Sequence, residues 1–411
     1  MTGEDGSQPS LKQLGPYELI RPIAQGGMAD IYLAKKLGVG QFERHVALKV
    51  LNKLRASEAE SCAMFLDEAR LVGMLHHQNI ASVLEADVTD GHHYLAMEYV
   101  HGADLRELLS AAAKAGRSIP FEVSLSIIAA AAAGLDHAHR RCGPDGKPLR
   151  LVHRDVSLSN IMVGHDGAVK VVDFGIASTA VQTVHTSPGV VRGKASYMSP
   201  EQCLGDEVDH RTDIFALGIV LYELTTGARC FAGKTDFERM LAVVRGEYHA
   251  PTAIVANYPL ELEQVVRTAL AGDPAQRYAS CHAMIEALER VARGRCWTLG
   301  SAPIERIMQR LFGHSPTTFS VEPMTIAAET QPMIDVDPEP TAREAPSSRR
   351  AILDALDPSQ YQGPTHRSRR RIAQGTNADG YATALATDDD DQPTRGRRPL
   401  PRRPSAPDLA A

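Results

Sequence analysis

Three side chains stand at spacings that suit phosphoryl transfer. Asp155 and Asn160 lie in His153-Arg154-Asp155-Val156-Ser157-Leu158-Ser159-Asn160, and Asp173 opens Asp173-Phe174-Gly175. Moving a phosphoryl group asks for little covalent chemistry from a protein. It needs a carboxylate to orient an attacking hydroxyl and accept its proton, and oxygen ligands to hold Mg²⁺ on the phosphates. Asp155 suits the first task, and Asn160 and Asp173 suit the second. The run Val169 to Val172 reads as a short strand that delivers Asp173.

Two earlier features fit the same chemistry. Lys49 sits in Val46-Ala47-Leu48-Lys49-Val50, whose alternation predicts a strand with one buried face. A lysine on an inner face is costly unless paired, and Glu68 on the following helix is the candidate partner. The plainer alternative is an ordinary exposed lysine. Gln25-Gly26-Gly27-Met28-Ala29 lies between two strand-like runs. Glycines there let backbone N–H groups approach phosphate oxygens, although a tight hairpin needing positive φ accounts for them equally.

The elements that must position these residues follow from periodicity. Strands are predicted at Tyr17 to Ile23, Ala29 to Ala34, Val46 to Leu51, Ile80 to Ala86 and Tyr94 to Tyr99. Glu58 to Leu75 has the helical period, with Phe65, Leu66, Ala69, Val72 and Leu75 on one side. From about residue 104 the pattern is mostly helical. The expected architecture is α+β and bilobal, with a small β-rich lobe followed by a larger α-helical lobe. Ile127 to Gly134 is apolar but short, and reads as a buried helix rather than a membrane span. Ala292 to Gly313 reads as an amphipathic helix on the helical lobe.

Taken together, these residues resemble the eukaryote-like (Hanks-type) serine/threonine protein kinase family, in its bacterial branch, over about residues 17 to 290. Further matches carry the resemblance. Ser199-Pro200-Glu201 resembles the Ala-Pro-Glu closing an activation segment, and Asp213 to Gly218 resembles Asp-x-Trp-x-x-Gly with Phe215 in the Trp position. Asp273-Pro274 to Arg277 resembles the late segment whose arginine pairs with that glutamate, which predicts a buried Glu201–Arg277 ion pair. The resemblance implies an ATP site built from Ile23, Ala24, Gln25, Gly26, Gly27, Met28, Ala29, Asp30 and Ile31, with Lys49 on the phosphates. It makes Met97 the gatekeeper and Glu98 to Val100 the hinge, with Ala47, Ile31 and Met162 lining the adenine slot and Asp104 reaching the ribose. It implies ATP and Mg²⁺, with Mn²⁺ a substitute, and protein substrates.

Three departures stand out. Ala24 and Ala29 replace the outer glycines of Gly-x-Gly-x-x-Gly. Ser157 stands where serine/threonine members carry lysine, and Gly193-Lys194 replaces Gly-Thr. Because the family places both positions beside the catalytic Asp, Lys194 is assigned the charge that position 157 lacks. A solvent-facing or substrate-contacting Lys194 is the duller alternative. Arg154 implies regulation by phosphorylation of the segment holding Thr179, Thr183, Thr186 and Ser187, with Thr183 and Thr186 preferred.

Bulk composition agrees. The net charge of −6 gives no reason to expect nucleic acid as the main partner. Six scattered cysteines without a CxxC argue against zinc and for a reduced, cytoplasmic setting. The polar N-terminus lacks a signal-peptide pattern. Residues 1–16 are expected to be flexible, 17–293 to form the catalytic domain with lobes meeting at 100/101, and 294–315 to form the amphipathic helix. Clusters of Pro, Ser, Arg, Thr and Asp predict disorder over 316–411. That charged tail offers contacts to a partner, against the plainer reading of a solvated tail. The reading is an ATP-dependent kinase for Ser/Thr hydroxyls in bacterial signalling. A pseudokinase scaffold is the rival, and a small-molecule phosphotransferase is a second.

Overall fold

Alternating apolar residues build a first layer. Strands β1 (Gln13–Leu14), β2 (Tyr17–Gln25), β3 (Ala29–Leu37), β4 (Glu43–Leu51), β5 (Val83–Thr89) and β6 (His92–Glu98) form one antiparallel sheet, ordered β1-β2-β3-β4-β6-β5. Val46, Leu48 and Val50 point to one face, in a cluster with Leu14, Tyr17, Ala34, Tyr94 and Ala96. The period of two therefore sends Lys49 to the other face. There helix α1 (Ala59–Gly73) packs Phe65 and Ala69 against Ala29, Leu51 and Leu95. The structure, a computed structural model, describes residues 12–38, 42–52, 59–174 and 194–313, with the backbone alone at 59, 60 and 194.

Three boundaries differ from the sequence reading, each for a physical reason. The lobe begins before residue 17, because β1 pairs with β2 and Leu14 is 1% exposed in the sheet's core. The strand expected from Ile80 begins at Val83. Ile80 and Ala81 instead reach the other lobe, where Ile80 bridges Val171 and Ala81 N–H donates to Val171 O at 3.0 Å. The single helix expected over Ala292 to Gly313 is two. Residues 1–11 and the tail from 314 onward lie outside the described residues.

A second, small sheet, β7 (Gly102–Asp104), β8 (Ile161–Gly164) and β9 (Val169–Val171), lies where the lobes join. Gly102 is required there, since a Cβ on it would fall 1.9 Å from Val163 O. The helices are α2 (Leu105–Lys114), α3 (Phe121–His139), α4 (Pro200–Leu204), α5 (Arg211–Thr226), α6 (Asp236–Arg245), α7 (Pro251–Ile254), α8 (Leu260–Ala269), α9 (Cys281–Arg295) and α10 (Ser301–Phe312). Helices α3 and α5 are apolar nearly all round and form the centre of the main core. By length and composition alone α3 could cross a membrane, but 67% of its apolar window is buried among the other helices.

Helix α9 ends where Cys296 adopts a left-handed φ of 56°. Helix α10 then buries Pro303, Ile304, Ile307 and Met308 against the main core. Trp297 stacks on Phe121 at 5.7 Å, and Gly300 N–H donates to Ser126 Oγ at 3.1 Å, fastening the approach to α10 onto α3. All six cysteines are free thiols.

Candidate active site

Lys49 leaves β4 on the face that α1 covers, and Glu68 leaves α1 toward it. Lys49 Nζ lies 2.8 Å from Glu68 Oε1 and 3.3 Å from Asp173 Oδ1, with the lysine side chain only 13% exposed. Burial works against the ammonium, but the carboxylates of Asp173 and Glu68 outweigh it and raise the lysine pKa. The cation is thus permanent, and it joins three elements: β4, α1 and the end of β9. Phe174 is buried, and with Glu68, Val72 and Asp173 it lines a small cavity behind the lysine.

The loop carrying Asp155 hangs from α5. Asp213, 0% exposed, accepts from His153 N–H and Arg154 N–H, both at 2.8 Å, and its Oδ2 lies 2.7 Å from His139 Nε2. Burial alone would raise its pKa, but the His139 hydrogen bond and charge prevail and hold it below the usual carboxylate range. Two non-glycine residues of the site have left-handed φ, Arg154 at 64° and Asp173 at 52°. Such backbone conformations persist only where surroundings impose them. His153 ties the two segments: Asp155 N–H approaches its Nδ1 at 3.3 Å and its Nε2 lies 3.1 Å from Val172 O.

Asn160 Nδ2 donates to Asp155 O at 2.7 Å and to Asp155 Oδ2 at 2.9 Å. The amide nitrogen is committed to Asp155, and the amide oxygen accepts from Ser159 Oγ at 3.4 Å, which leaves it a second lone pair. Asn160 and Asp173 together offer the hard oxygen donors that suit Mg²⁺. Among the described residues no three His, Cys, Asp or Glu side chains converge as a cage. An ion held here would share its coordination with phosphate oxygens. Ser157 is buried, with its Oγ 3.1 Å from Ser159 Oγ, so position 157 supplies no cation.

On the nucleotide side, β2 and β3 meet at the glycine turn. Ala24 pairs with Ile31 and Gln25 with Asp30. Gly26 does not use positive φ, which removes the hairpin explanation for it. A Cβ there would sit 2.9 Å from Ala29 O, so the need is for close backbone approach. Ala24 and Ala29 are likewise free of left-handed strain. Asn52 anchors the turn from β4, donating Nδ2 to Gly26 O at 2.8 Å and its N–H to Met28 O at 2.9 Å.

Ala47 pairs with Met97 across the sheet, Ile31 pairs with Lys49, and Met162 pairs with Asp104 and Lys170 below. Ile31, Ala47 and Met162 thus lie on the strands that bracket the hinge ending at Val100. Asp104 has a task the sequence reading missed. It caps α2 by accepting from Glu107 N–H at 2.7 Å, and its Oδ2 takes Arg106 Nη2 at 3.1 Å. Each of its two oxygens keeps a second lone pair for a further donor. Glu98 joins the lobes, with Oε1 2.7 Å from Lys170 Nζ and Oε2 accepting from Ser82 N–H at 3.1 Å.

Below the cleft, the ion pair expected between Glu201 and Arg277 is present. Nη1–Oε1 is 2.7 Å, Nη2–Oε2 is 2.8 Å, and the arginine side chain is 0% exposed. The Arg277 guanidinium also lies 4.7 Å from the Phe215 ring centroid, so phenylalanine in the Trp position still presents a face to the cation. Thr183, Thr186, Gly193 and the side chain of Lys194 lie outside the described residues. Among the described residues Arg154 has no carboxylate within ion-pair distance, and burial pushes its pKa down.

Sequence reasoning missed Asn52, Asn79, His139 and the Glu98–Lys170 pair. Asn79 Nδ2 donates to Val169 O at 2.9 Å and its own carbonyl accepts from Val171 N–H at 2.9 Å, holding the strand before Asp173. No local pattern marks such residues, because their partners are distant in the chain.

Residues 17–288 match the family described as Protein kinase domain. The tyrosine-protein kinase MasK of Myxococcus xanthus is 39% identical over 327 residues, covering 80% of this chain and 51% of that protein. The serine/threonine-protein kinase PrkC of Bacillus subtilis is 35% identical over 270 residues, 66% of this chain and 39% of its own length. The chain therefore spans about half or less of these relatives. The crystal structure of the Mycobacterium tuberculosis PknI kinase domain superposes with a TM-score of 0.51 at 26% identity, covering 69% of this chain and 99% of that one. With the fold, the ion-paired lysine and the motif order all in agreement, the chain belongs to the protein kinase family, in its Hanks-type bacterial branch.

Proposed function

We propose that this chain is an active ATP-dependent protein kinase that phosphorylates serine and threonine hydroxyls. The observation that carries the reading is the joined set Glu68–Lys49–Asp173 beside Asp155–Asn160. A scaffold has no need to keep a buried ammonium between two carboxylates, an arrangement that is costly unless used. Lys49 is assigned to the phosphates of ATP, with Glu68 fixing its position. Asn160 and Asp173 would hold Mg²⁺, which when bound neutralises phosphate charge.

Asp155 orients the acceptor hydroxyl. In the transfer, the acceptor oxygen forms a bond to the γ-phosphorus as the bond from that phosphorus to the β–γ bridging oxygen breaks. The hydroxyl proton passes to the Asp155 carboxylate, and ADP leaves with the bond electrons. The segment Tyr197 to Glu201, locked by Arg277, is assigned to seat the acceptor peptide. Ser196-Tyr197-Met198-Ser199-Pro200 resembles serine/threonine members and supports that hydroxyl class. Ser157 in place of lysine, and the name of the Myxococcus xanthus relative, support tyrosine as the second reading. Phosphoamino-acid analysis of labelled product separates the two.

Arg154 is assigned to bind a phosphorylated residue of the activation segment, Thr183 or Thr186. Phosphopeptide mapping of active protein beside an Asp155→Asn variant tests this, and equal modification in both excludes autophosphorylation.

A further inference from the structure

Strand β4 sets more of the nucleotide side than Lys49 alone. Asn52 follows the end of β4 and Gly26 follows the end of β2, with β3 between those strands in the sheet. Asn52 Nδ2 nevertheless donates to Gly26 O at 2.8 Å, so the glycine turn is folded across the start of β3. The Asn52 N–H donates to Met28 O at 2.9 Å, which extends the β3–β4 ladder past the Ala29–Leu51 pair. The half-buried Met28 packs on the cluster of Ala29, Leu51, Leu95 and the α1 residues Phe65 and Ala69. The turn is thus tied on both sides of Gly27, once through a side chain and once through the backbone.

The side-chain tie is not there to complete a buried group. Gly26 is exposed, and water would satisfy its carbonyl as well. What the bond supplies is direction. In a trans peptide the carbonyl and the following N–H point opposite ways, and no described peptide bond is cis. A Gly26 carbonyl turned toward Asn52 therefore aims the Gly27 N–H away from Asn52 and keeps it there. Alanine at 24 and 29 leaves only Gly26-Gly27 with glycine's freedom, so a restraint at Gly26 governs most of what the turn can do.

We propose that Asn52 is a positioning residue for the phosphates of ATP, one that presets the glycine turn so that the Gly27 N–H meets a phosphate oxygen. The role rests on the kinase reading above and adds to it the residue that shapes the cradle before nucleotide arrives. A turn already held in its bound shape loses less conformational freedom on binding. One strand then serves the phosphates twice, through the Lys49 ammonium and through the turn that Asn52 holds.

Equilibrium titration of the full chain with Mg-ATP, Mg-ADP and adenosine tests this in wild type, Asn52→Asp, Asn52→Ala and Asn52→Gln. Aspartate keeps the shape and the backbone bond to Met28 but has no donor for Gly26 O. Asn52→Asp and Asn52→Ala should bind ATP and ADP about fivefold more weakly, as for one lost hydrogen bond, and bind adenosine as wild type does. The KM for ATP should rise by the same factor with kcat little changed. Asn52→Gln, which keeps the amide donor on a longer arm, should recover part of the loss. A residue that only stabilised the fold would not separate the nucleotides from adenosine. ATP affinity that is tighter than wild type or within about twofold of it in both Asn52→Asp and Asn52→Ala overturns the role of Asn52 alone, as does equal weakening of adenosine. A wild-type chain that binds neither ATP nor ADP overturns the kinase reading together with it.

Discussion

Asn160 grips Asp155 twice, taking its backbone oxygen at 2.7 Å and its carboxylate Oδ2 at 2.9 Å through one amide nitrogen. The same residue thereby sets the direction of the proposed base, while its amide oxygen accepts from Ser159 Oγ at 3.4 Å. The change Asn160→Asp keeps the shape but replaces the donor with an acceptor facing Asp155. Turnover should fall roughly 100-fold or more, as for the loss of one preorganised donor at a reacting centre. Steady-state kinetics with a Mg²⁺ titration measure it, and a turnover within a few-fold of wild type counts against the assignment.

Arg277 closes a fully buried, bidentate pair with Glu201, and Thr212 Oγ1 adds a third bond at 2.6 Å. Arg277→Ala leaves the glutamate charge buried without its partner, which costs about 3–5 kcal/mol. Chemical denaturation should show that loss. A variant as stable as wild type would mean that the pair is not formed.

His77 and His137 stack at 5.1 Å between ring centroids, and Asn79 N–H donates to His77 Nδ1 at 3.1 Å. Burial lowers the pKa of both, reinforced at His77 by His137 and Lys170 and at His137 by Arg141, Arg140 and His76, with Asp136 opposing. The folded chain thus refuses protons that the unfolded chain accepts. Stability from this pair is complete above the ordinary histidine value of about 6.5 and is lost as pH falls below it. The melting temperature should therefore drop more between about pH 7.5 and 5.5 in wild type than in His137→Leu. Equal drops contradict the account.

Ser157 carries no cation and Lys194 stands where the family has threonine. If Lys194 supplies the missing charge, Lys194→Met lowers turnover on the order of tenfold or more with little change in the KM for ATP. Unchanged turnover sinks the exchange.

The lobes, the order of the catalytic residues and the Glu201–Arg277 pair were readable in the sequence because each rests on a local pattern. Period-two alternation places Lys49 opposite Val46, Leu48 and Val50, and a motif of eight residues carries Asp155 and Asn160 together. What escaped was long-range satisfaction of polar groups. Asp104-Leu105-Arg106-Glu107 is a local capping-box pattern that went unread, whereas nothing near Asp213 names His139 as its partner. Glu98 reads as hinge backbone, yet its side chain reaches Lys170, distant in sequence. The N-terminal boundary slipped for a related reason: Leu14 belongs to the core only once β1 pairs with β2.

The central claim is that Asp155 and its neighbours move phosphate from ATP to a hydroxyl. Transfer of radiolabelled γ-phosphate to protein, followed by phosphoamino-acid analysis beside Asp155→Asn, tests it most directly. The account predicts label on serine or threonine with wild type and loss of nearly all of it in the variant. No transfer by wild type, or equal transfer by both proteins, would contradict it.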